Sequence, residues 1–207
     1  MHLMFFLSYL CRSTLCDGKL PHDNADSRGI NRYFTISSAP YEKNIMITTR
    51  LIRDGGSSFK KALFNLSPGG MLEASNPKGN LVVEDFERAY VLIAGGIGIT
   101  PFRSIVLDLN HKGKLKNVIL LYANSNEEVV FKDEFDKIST ENQDFKVHYV
   151  ISPQHIDSST IKQNVPDCTN WIYMIAGPIG MVKAIEETLL GIGIDRKDVK
   201  KDFFPGY

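Results

Sequence analysis

The stretch Ala89-Tyr90-Val91-Leu92-Ile93-Ala94-Gly95-Gly96-Ile97-Gly98-Ile99-Thr100-Pro101-Phe102-Arg103-Ser104-Ile105 constrains the fold more than any other part of the chain. Tyr90 to Ala94 is short and apolar throughout, the pattern of a parallel strand covered on both faces. Glycine follows at once. Gly95, Gly96 and Gly98 tolerate positive φ and remove the Cβ atoms that would hold a ligand away from backbone amides. Thr100 then suits an N-cap and Pro101 the first helical position, where its missing N–H leaves no partner wanting. Phe102, Ile105, Val106 and Leu109 recur at helical spacing and predict a helix with one apolar face on the sheet. A strand that reaches a helix N-terminus through glycines builds an anion site, because free amides and the positive end of the helix dipole converge there. A tight turn between packed elements is the plainer reading. Three glycines and a proline within seven residues cost conformational entropy that such a turn need not lose, so the ligand reading is preferred.

The dinucleotide fingerprint G-x-G-x-x-G would need a third glycine where Pro101 stands and an acidic residue at the end of the next strand. That strand, Val118-Ile119-Leu120-Leu121-Tyr122-Ala123-Asn124, ends without one. The loop is therefore not the ordinary Rossmann motif. It resembles instead the pyridine-nucleotide loop of the ferredoxin–NADP reductase family, which is glycine-rich and closes in threonine or alanine followed by proline.

Length and charge bound the alternatives. A chain of 207 residues forms one large or two small domains, and 43% apolar residues make it globular. Lys plus Arg and Asp plus Glu balance at 24 each, so no global field draws it to nucleic acid or an anionic membrane. Cys11, Cys16 and Cys168 are odd in number and lack metal-ligand spacing, which argues for a reducing compartment and against a metal or iron–sulfur site. Leu3-Met4-Phe5-Phe6-Leu7-Ser8-Tyr9-Leu10 is too short to span a bilayer and has neither the preceding Lys or Arg nor the following small residues of a signal peptide. A soluble, cytoplasmic product is expected.

From Arg32 to Val83 the pattern is β. Arg32 to Ser38 and Asn44 to Ile52 are rich in β-branched and aromatic residues, with Ala39-Pro40-Tyr41-Glu42 as a turn between them. Phe59 to Leu63 reads as a short helical piece, and Pro68-Gly69-Gly70 and Pro77-Lys78-Gly79 punctuate two further strands. Short strands with glycine turns predict a barrel. After Arg88 strands and helices alternate: strand 90–94, helix 101–110, strand 118–124, helix 127–138, strand 146–151, strand 171–176 and helix 180–190. That alternation predicts a parallel sheet with helices on its faces. The expected architecture is an incomplete N-terminal antiparallel β-barrel over residues 1–88, with 1–19 atypical, followed by a C-terminal α/β domain over 89–207.

Three further constellations bear on chemistry. Arg32-Tyr33-Phe34-Thr35 offers an arginine, an aromatic and a hydroxyl at alternating positions of one strand, which are expected to point to the same face, able to hold a phosphate, stack a flat ring and hydrogen-bond it. Gly55-Gly56-Ser57-Ser58 precedes a helix start, with the same anion logic as the main loop. Trp171 to Ala176, then Gly177-Pro178-Ile179-Gly180-Met181, repeats the strand, glycine turn and helix sequence. Each fits a merely structural turn or amphipathic strand when taken alone.

Together, in this order, they resemble the ferredoxin–NADP reductase superfamily, a flavin barrel joined to a nicotinamide domain, over about residues 20 to 207. The resemblance implies that Arg32 contacts the diphosphate of FAD, that Phe34 stacks on the isoalloxazine in place of the commoner tyrosine, and that Thr35 sets its hydroxyl near flavin N5. It implies that Gly55 and Ser58, with Gly56 and Ser57 between them, hold the FAD diphosphate. Gly95, Gly96, Gly98, Thr100 and Pro101 would then cradle NAD(P)H, and Ala176, Gly177, Pro178 and Met181 would line the nicotinamide side. Ala176 stands where many relatives carry cysteine. Tyr207 would cover the flavin face that nicotinamide approaches.

The implied activity is hydride transfer from NAD(P)H to FAD, with electrons passed on to ferredoxin, flavodoxin or a membrane electron-transfer subunit. NADH is favoured because neither Ala123 to Glu128 nor Ile151-Ser152-Pro153 offers an arginine for a ribose 2′-phosphate, although Lys132 stands close by. Family barrels carry strands before the arginine motif, and residues 1–19 match none of them. A truncated or frame-shifted start is expected, with Cys11-Arg12-Ser13 as an Ala-Gly-Gln coding stretch read out of frame. The competing expectation is a non-catalytic remnant or docking subunit with a nucleotide-binding domain and a defective flavin site.

Overall fold

A computed structural model describes residues 2–7, 15–51, 56–76 and 78–203, with side chains described from residue 18 onward. The chain divides into two compact units, Met1–Gly79 and Asn80–Tyr207.

The first unit is antiparallel. Strand β1 (His2–Leu7) pairs with β4 (Ile45–Arg50), and β2 (Leu15–Lys19) lies between β3 (Asn31–Thr35) and the two-residue β5 (Glu73–Ala74). An isolated bridge, Ile36 to Ile47, links the two sheets, which stay separate among the described residues. Residues 1–19, expected to match no family strand, thus supply β1 and β2. Helix α1 (Ser58–Phe64) closes a small core in which Leu20, Phe34, Ile36 and Ile47 meet Phe59 and Leu63.

The second unit is a five-stranded parallel sheet in the order β10-β9-β6-β7-β8. Its strands are β6 (Tyr90–Gly95), β7 (Val118–Asn124), β8 (Phe145–Ile151), β9 (Ile172–Gly177) and β10 (Val199–Phe203). The uninterrupted apolar runs of β6 and β7 follow from burial on both faces. Leu92, Ala94, Leu120 and Tyr122 face a core closed by α2 (Thr100–His111) and α3 (Lys132–Glu141). Val91, Ile93, Ile119 and Leu121 face the opposite core, closed by α4 (Ser158–Asn164) and α5 (Ile179–Gly191). Leu81, ahead of the expected boundary near Glu87, is 1% exposed and belongs to the first of these cores.

Three elements depart from expectation. Helix α3 begins at Lys132 rather than 127, because Phe131 takes a left-handed conformation at φ 62° and cannot continue a helix backwards. Helix α4 has no counterpart in the sequence reading; Asp157 caps it by accepting a hydrogen bond from Thr160 N at 2.8 Å. Strand β10 has none either. It is an edge strand whose Lys200 pairs with Glu84 at 2.8 Å, so charge replaces the apolar run of its neighbours.

Leu120 is fully buried at the centre of the sheet. Leu120→Ala is expected to lower the unfolding free energy of the second unit by about 2–5 kcal/mol. Urea denaturation followed by the fluorescence of Trp171, the single tryptophan, measures this.

Candidate active site

The site in the second unit forms where β6 and β9 end side by side. Chain direction changes there: β6 leads into α2 on one face of the sheet, and β9 leads into α5 on the other. Such a switch point is where open α/β sheets bind ligands, beyond the carboxyl ends of their strands.

The glycines serve this junction differently from expectation. Gly96 alone of the three in the loop uses positive φ, at 53°. A Cβ on Gly98 would stand 2.2 Å from the carbonyl oxygen of Ala176, and one on Gly95 would stand 2.1 Å from Met181 Sδ. At Gly98 the obstacle is backbone, so the close approach of the two turns requires glycine there, whereas at Gly95 the nearest obstacle is the flexible Met181 side chain. Gly177 is pressed on Gly95 in the same way, and Pro178 caps α5 at the same contact. Gly95, Gly98, Ala176, Gly177, Pro178 and Met181 are therefore brought together, as the motif pairing requires.

Thr100 is not the N-cap. A 3-10 turn over Gly96–Ile99 precedes α2, whose N-cap is Ile99, and the Thr100 hydroxyl donates to the Ile97 carbonyl at 3.1 Å. Pro101 does occupy the first turn of α2. The turn residues 96–99 leave too little extended backbone before Thr100 for it to act as a cap. Asn124 carries no mark in the sequence, since the dinucleotide motif calls for an acid at that strand end. It is 8% exposed at the carboxyl end of β7, and its Nδ2 has no hydrogen-bond partner. Lys132 is committed to its own helix, paired with Asp136, and lies 4.7 Å from the Tyr149 ring centroid. Arg103 is likewise committed, in a two-pronged pair with Glu134 at 2.7 and 3.0 Å.

In the first unit, β3 brings Arg32 and Phe34 to one face, toward Phe59 of α1. The guanidinium lies 5.6 Å from the Phe59 centroid, and the Phe34 ring is also 5.6 Å away. Tyr33 and Thr35 take the opposite face by strand alternation, so the arginine and the hydroxyl do not share one. Phe34 is 6% exposed and packs in the core, whereas Tyr33 is the exposed aromatic at 63%. Gly56 is half-buried, and Ser57 sits at the N-cap of α1 without making a cap bond. Gly55 and Tyr207 lie outside the described residues.

Asp26 organises this corner, and no spacing rule in the sequence marks it. Its carboxylate accepts from Arg32 Nη2 at 2.7 Å, Arg28 N at 2.9 Å, Arg28 Nη2 at 3.0 Å and Ser58 N at 3.1 Å. The Arg28 side chain first, then the amides of Arg28 and Ser58 and the Arg32 side chain, hold the carboxyl well below the usual carboxylate range against burial. Lys60 lies near: burial first, then the charges of Arg28, Arg50 and Arg32, push its pKa down.

Among the described residues of this unit, three buried side-chain atoms have no partner: Arg32 Nε, Thr35 Oγ1 and Ser57 Oγ. Buried polar groups are rarely left so, and each costs about 1–3 kcal/mol when unbonded. All three belong to residues that the resemblance assigns to the flavin, so the donors present fit a polar, anionic ligand. Among the described residues no group of three or more His, Cys, Asp or Glu is placed to hold a metal ion, and no helix is long and apolar enough to cross a membrane.

Comparison with known proteins agrees with this geometry. Residues 92–187 match the family model of the oxidoreductase NAD-binding domain. The fold is that of the flavohem-like FAD/NAD binding domain of nitric oxide dioxygenase from Vibrio cholerae, with a TM-score of 0.82 and 19% identity over 98% of this chain and 92% of that one. It also matches the cytochrome b5 reductase domain of Ulva prolifera nitrate reductase, with a TM-score of 0.79 and 19% identity over 97% and 90%. The chain thus has the two-domain fold of the ferredoxin–NADP reductase-like structures, and its second unit carries the match to the oxidoreductase NAD-binding domain. Among curated relatives it is 28% identical to a Na(+)-translocating NADH-quinone reductase subunit of Methylococcus capsulatus, over 84% of this chain and 49% of that protein. It is 27% identical to NADH-cytochrome b5 reductase 1 of Aspergillus clavatus, over 67% and 51%. The chain thus spans about half the length of these curated relatives.

Gly98→Ala drives a methyl group into the Ala176 peptide and is expected to destabilise the second unit by about 1–3 kcal/mol. Gly180→Ala, where the added Cβ meets nothing within 4 Å in α5, is expected to be neutral or stabilising by up to about 1 kcal/mol. Urea titration of both variants by Trp171 fluorescence checks the contrast.

Proposed function

We propose that this protein is an NAD(P)H-dependent flavin oxidoreductase, with FAD held by the first unit and the nicotinamide dinucleotide by the second. The observation that carries the reading is the coincidence of unbonded buried atoms with the motif residues Arg32, Thr35 and Ser57. Arg32, Gly55, Gly56, Ser57 and Ser58 form the diphosphate subsite, while Tyr33 and Thr35, which share a face, serve the ring and Phe34 packs in the core. Bound there, FAD supplies a two-electron acceptor for hydride and a source of single electrons.

The chain's own part is to bind, orient and exclude water. Thr35 keeps an uncommitted hydroxyl on the strand that carries Arg32. Gly95, Gly96, Gly98, Thr100 and Pro101 bring amides to the end of β6, and Ala176, Gly177, Pro178 and Met181 close the adjoining turn. Proximity and orientation account for most of such catalysis, and no acid–base side chain is required. Tyr207 is assigned to cover the flavin ring.

NADH is the preferred donor. Lys132, the cation that could read a ribose 2′-phosphate, is already paired with Asp136. The names of both curated relatives specify NADH. The acceptor is a one-electron carrier, ferredoxin or flavodoxin, or a membrane electron-transfer subunit, and the protein works on the cytoplasmic side.

Purified chain reconstituted with FAD is expected to be yellow and to reduce a one-electron dye faster with NADH than with NADPH. Arg32→Leu is expected to weaken FAD binding about tenfold to a hundredfold, the worth of a charge-assisted hydrogen bond, while leaving NADH binding intact. Colourless protein with no turnover after reconstitution would instead support a non-catalytic docking role.

A further inference from the structure

We propose that Asp26 is the positioning residue of the diphosphate subsite, fixing the guanidinium of Arg32 against the first turn of α1. The assignment rests on the flavin reading above and adds a residue that neither the arginine motif nor the glycine–serine turn contains.

Asp26 and Ser58 are tied twice across the chain. Ser58 N donates to Asp26 Oδ2 at 3.1 Å, and Asp26 N donates to Ser58 Oγ at 2.9 Å. That reciprocal pattern is the one a capping box makes locally, here supplied by a residue from the loop between β2 and β3. It replaces the cap that Ser57 does not make, and so leaves the Ser57 hydroxyl unbonded. The other carboxylate oxygen takes Arg32 Nη2 at 2.7 Å, while Arg32 Nη1 donates to the carbonyls of Arg28, Gly29 and Asn31. With both terminal nitrogens held, the guanidinium has one orientation, and Nε is the donor left over.

The charges support positioning over competition. Asp26 accepts four hydrogen bonds, so its negative charge is fully engaged within the protein. Arg28, Arg32, Arg50 and Lys60 converge on the same corner, with the imidazole of His22 3.0 Å from Ser58 Oγ. Among the described residues, one carboxylate against four cations leaves an excess of positive charge for a diphosphate. Asp26 relieves part of their mutual repulsion while the cluster stays cationic, and a prearranged donor set binds tighter than one that must be ordered on binding.

The test uses the full chain and ADP, which carries the diphosphate without the isoalloxazine. By calorimetry, Asp26→Asn is expected to weaken ADP and FAD by about tenfold or more, and the Arg32 Nε–H signal in nitrogen-edited NMR is expected to lose its exchange protection. In an Arg32→Met background, Asp26→Asn is expected to cost nothing further. Unchanged or tighter ADP binding in Asp26→Asn, or an equal loss in both backgrounds, overturns the assignment. If Asp26→Asn does not fold, Arg28→Gln replaces it, since it removes the main influence depressing the Asp26 carboxyl and spares the ties to Arg32 and Ser58. Protonation then moves to higher pH, so ADP affinity relative to the unchanged chain at the same pH is expected to fall earlier on acidification. Comparison at equal pH cancels the titration of ADP, and superimposable profiles overturn the assignment. Failure of the unchanged chain to bind either ADP or FAD overturns the flavin reading and this assignment with it, whereas the outcomes above bear on Asp26 alone.

Discussion

The backbone contact between Gly98 and the Ala176–Gly177 peptide is the constraint on which the second unit depends. Two parallel strands end together, and their chains must leave toward opposite faces of the sheet without a side chain between them. The loop is held rigid by protein atoms before any ligand arrives. That rigidity is useful for binding, because a turn already fixed needs no reordering when a ligand docks.

Much of the second unit was legible because its strands are apolar throughout and its helices are amphipathic. Tyr90 to Ala94 and Val118 to Asn124 could hardly be anything but buried strands. What escaped was set by tertiary context. Strand β10 carries Lys200, Lys201 and Asp202, and only pairing with β9 makes it a strand. The late start of α3 turns on the left-handed backbone of one residue, Phe131. Thr100 reads as an N-cap by residue type, yet a 3-10 turn placed it one position inside the helix.

The first unit was legible in a different way. Its strands could be read from β-branched and aromatic residues, but its site was recognised mainly through the order of the motifs. The expectation that the arginine and the hydroxyl share a face failed, because Arg32 and Thr35 are three positions apart on a strand of period two. Asp26 lay beyond reach because its partner Ser58 is 32 residues away and the loop from Leu20 to Ile30 has no periodicity. Neither the arginine nor the serine turn reveals, from sequence, that a carboxylate joins them.

The two units also differ in what holds them together. Among the described side chains, six buried apolar residues form the core of the first unit, against eighteen and fourteen on the two faces of the second. Among the described residues of the first unit, three polar atoms are buried and unbonded, an arrangement that lowers stability. A ligand bonded to those atoms removes that penalty and adds its own binding free energy, about 2.7 kcal/mol at a hundredfold excess over its dissociation constant. The flavin proposed for this unit would therefore act as part of its fold as well as its chemistry, whereas the second unit has core enough to hold its glycine turn without a nucleotide.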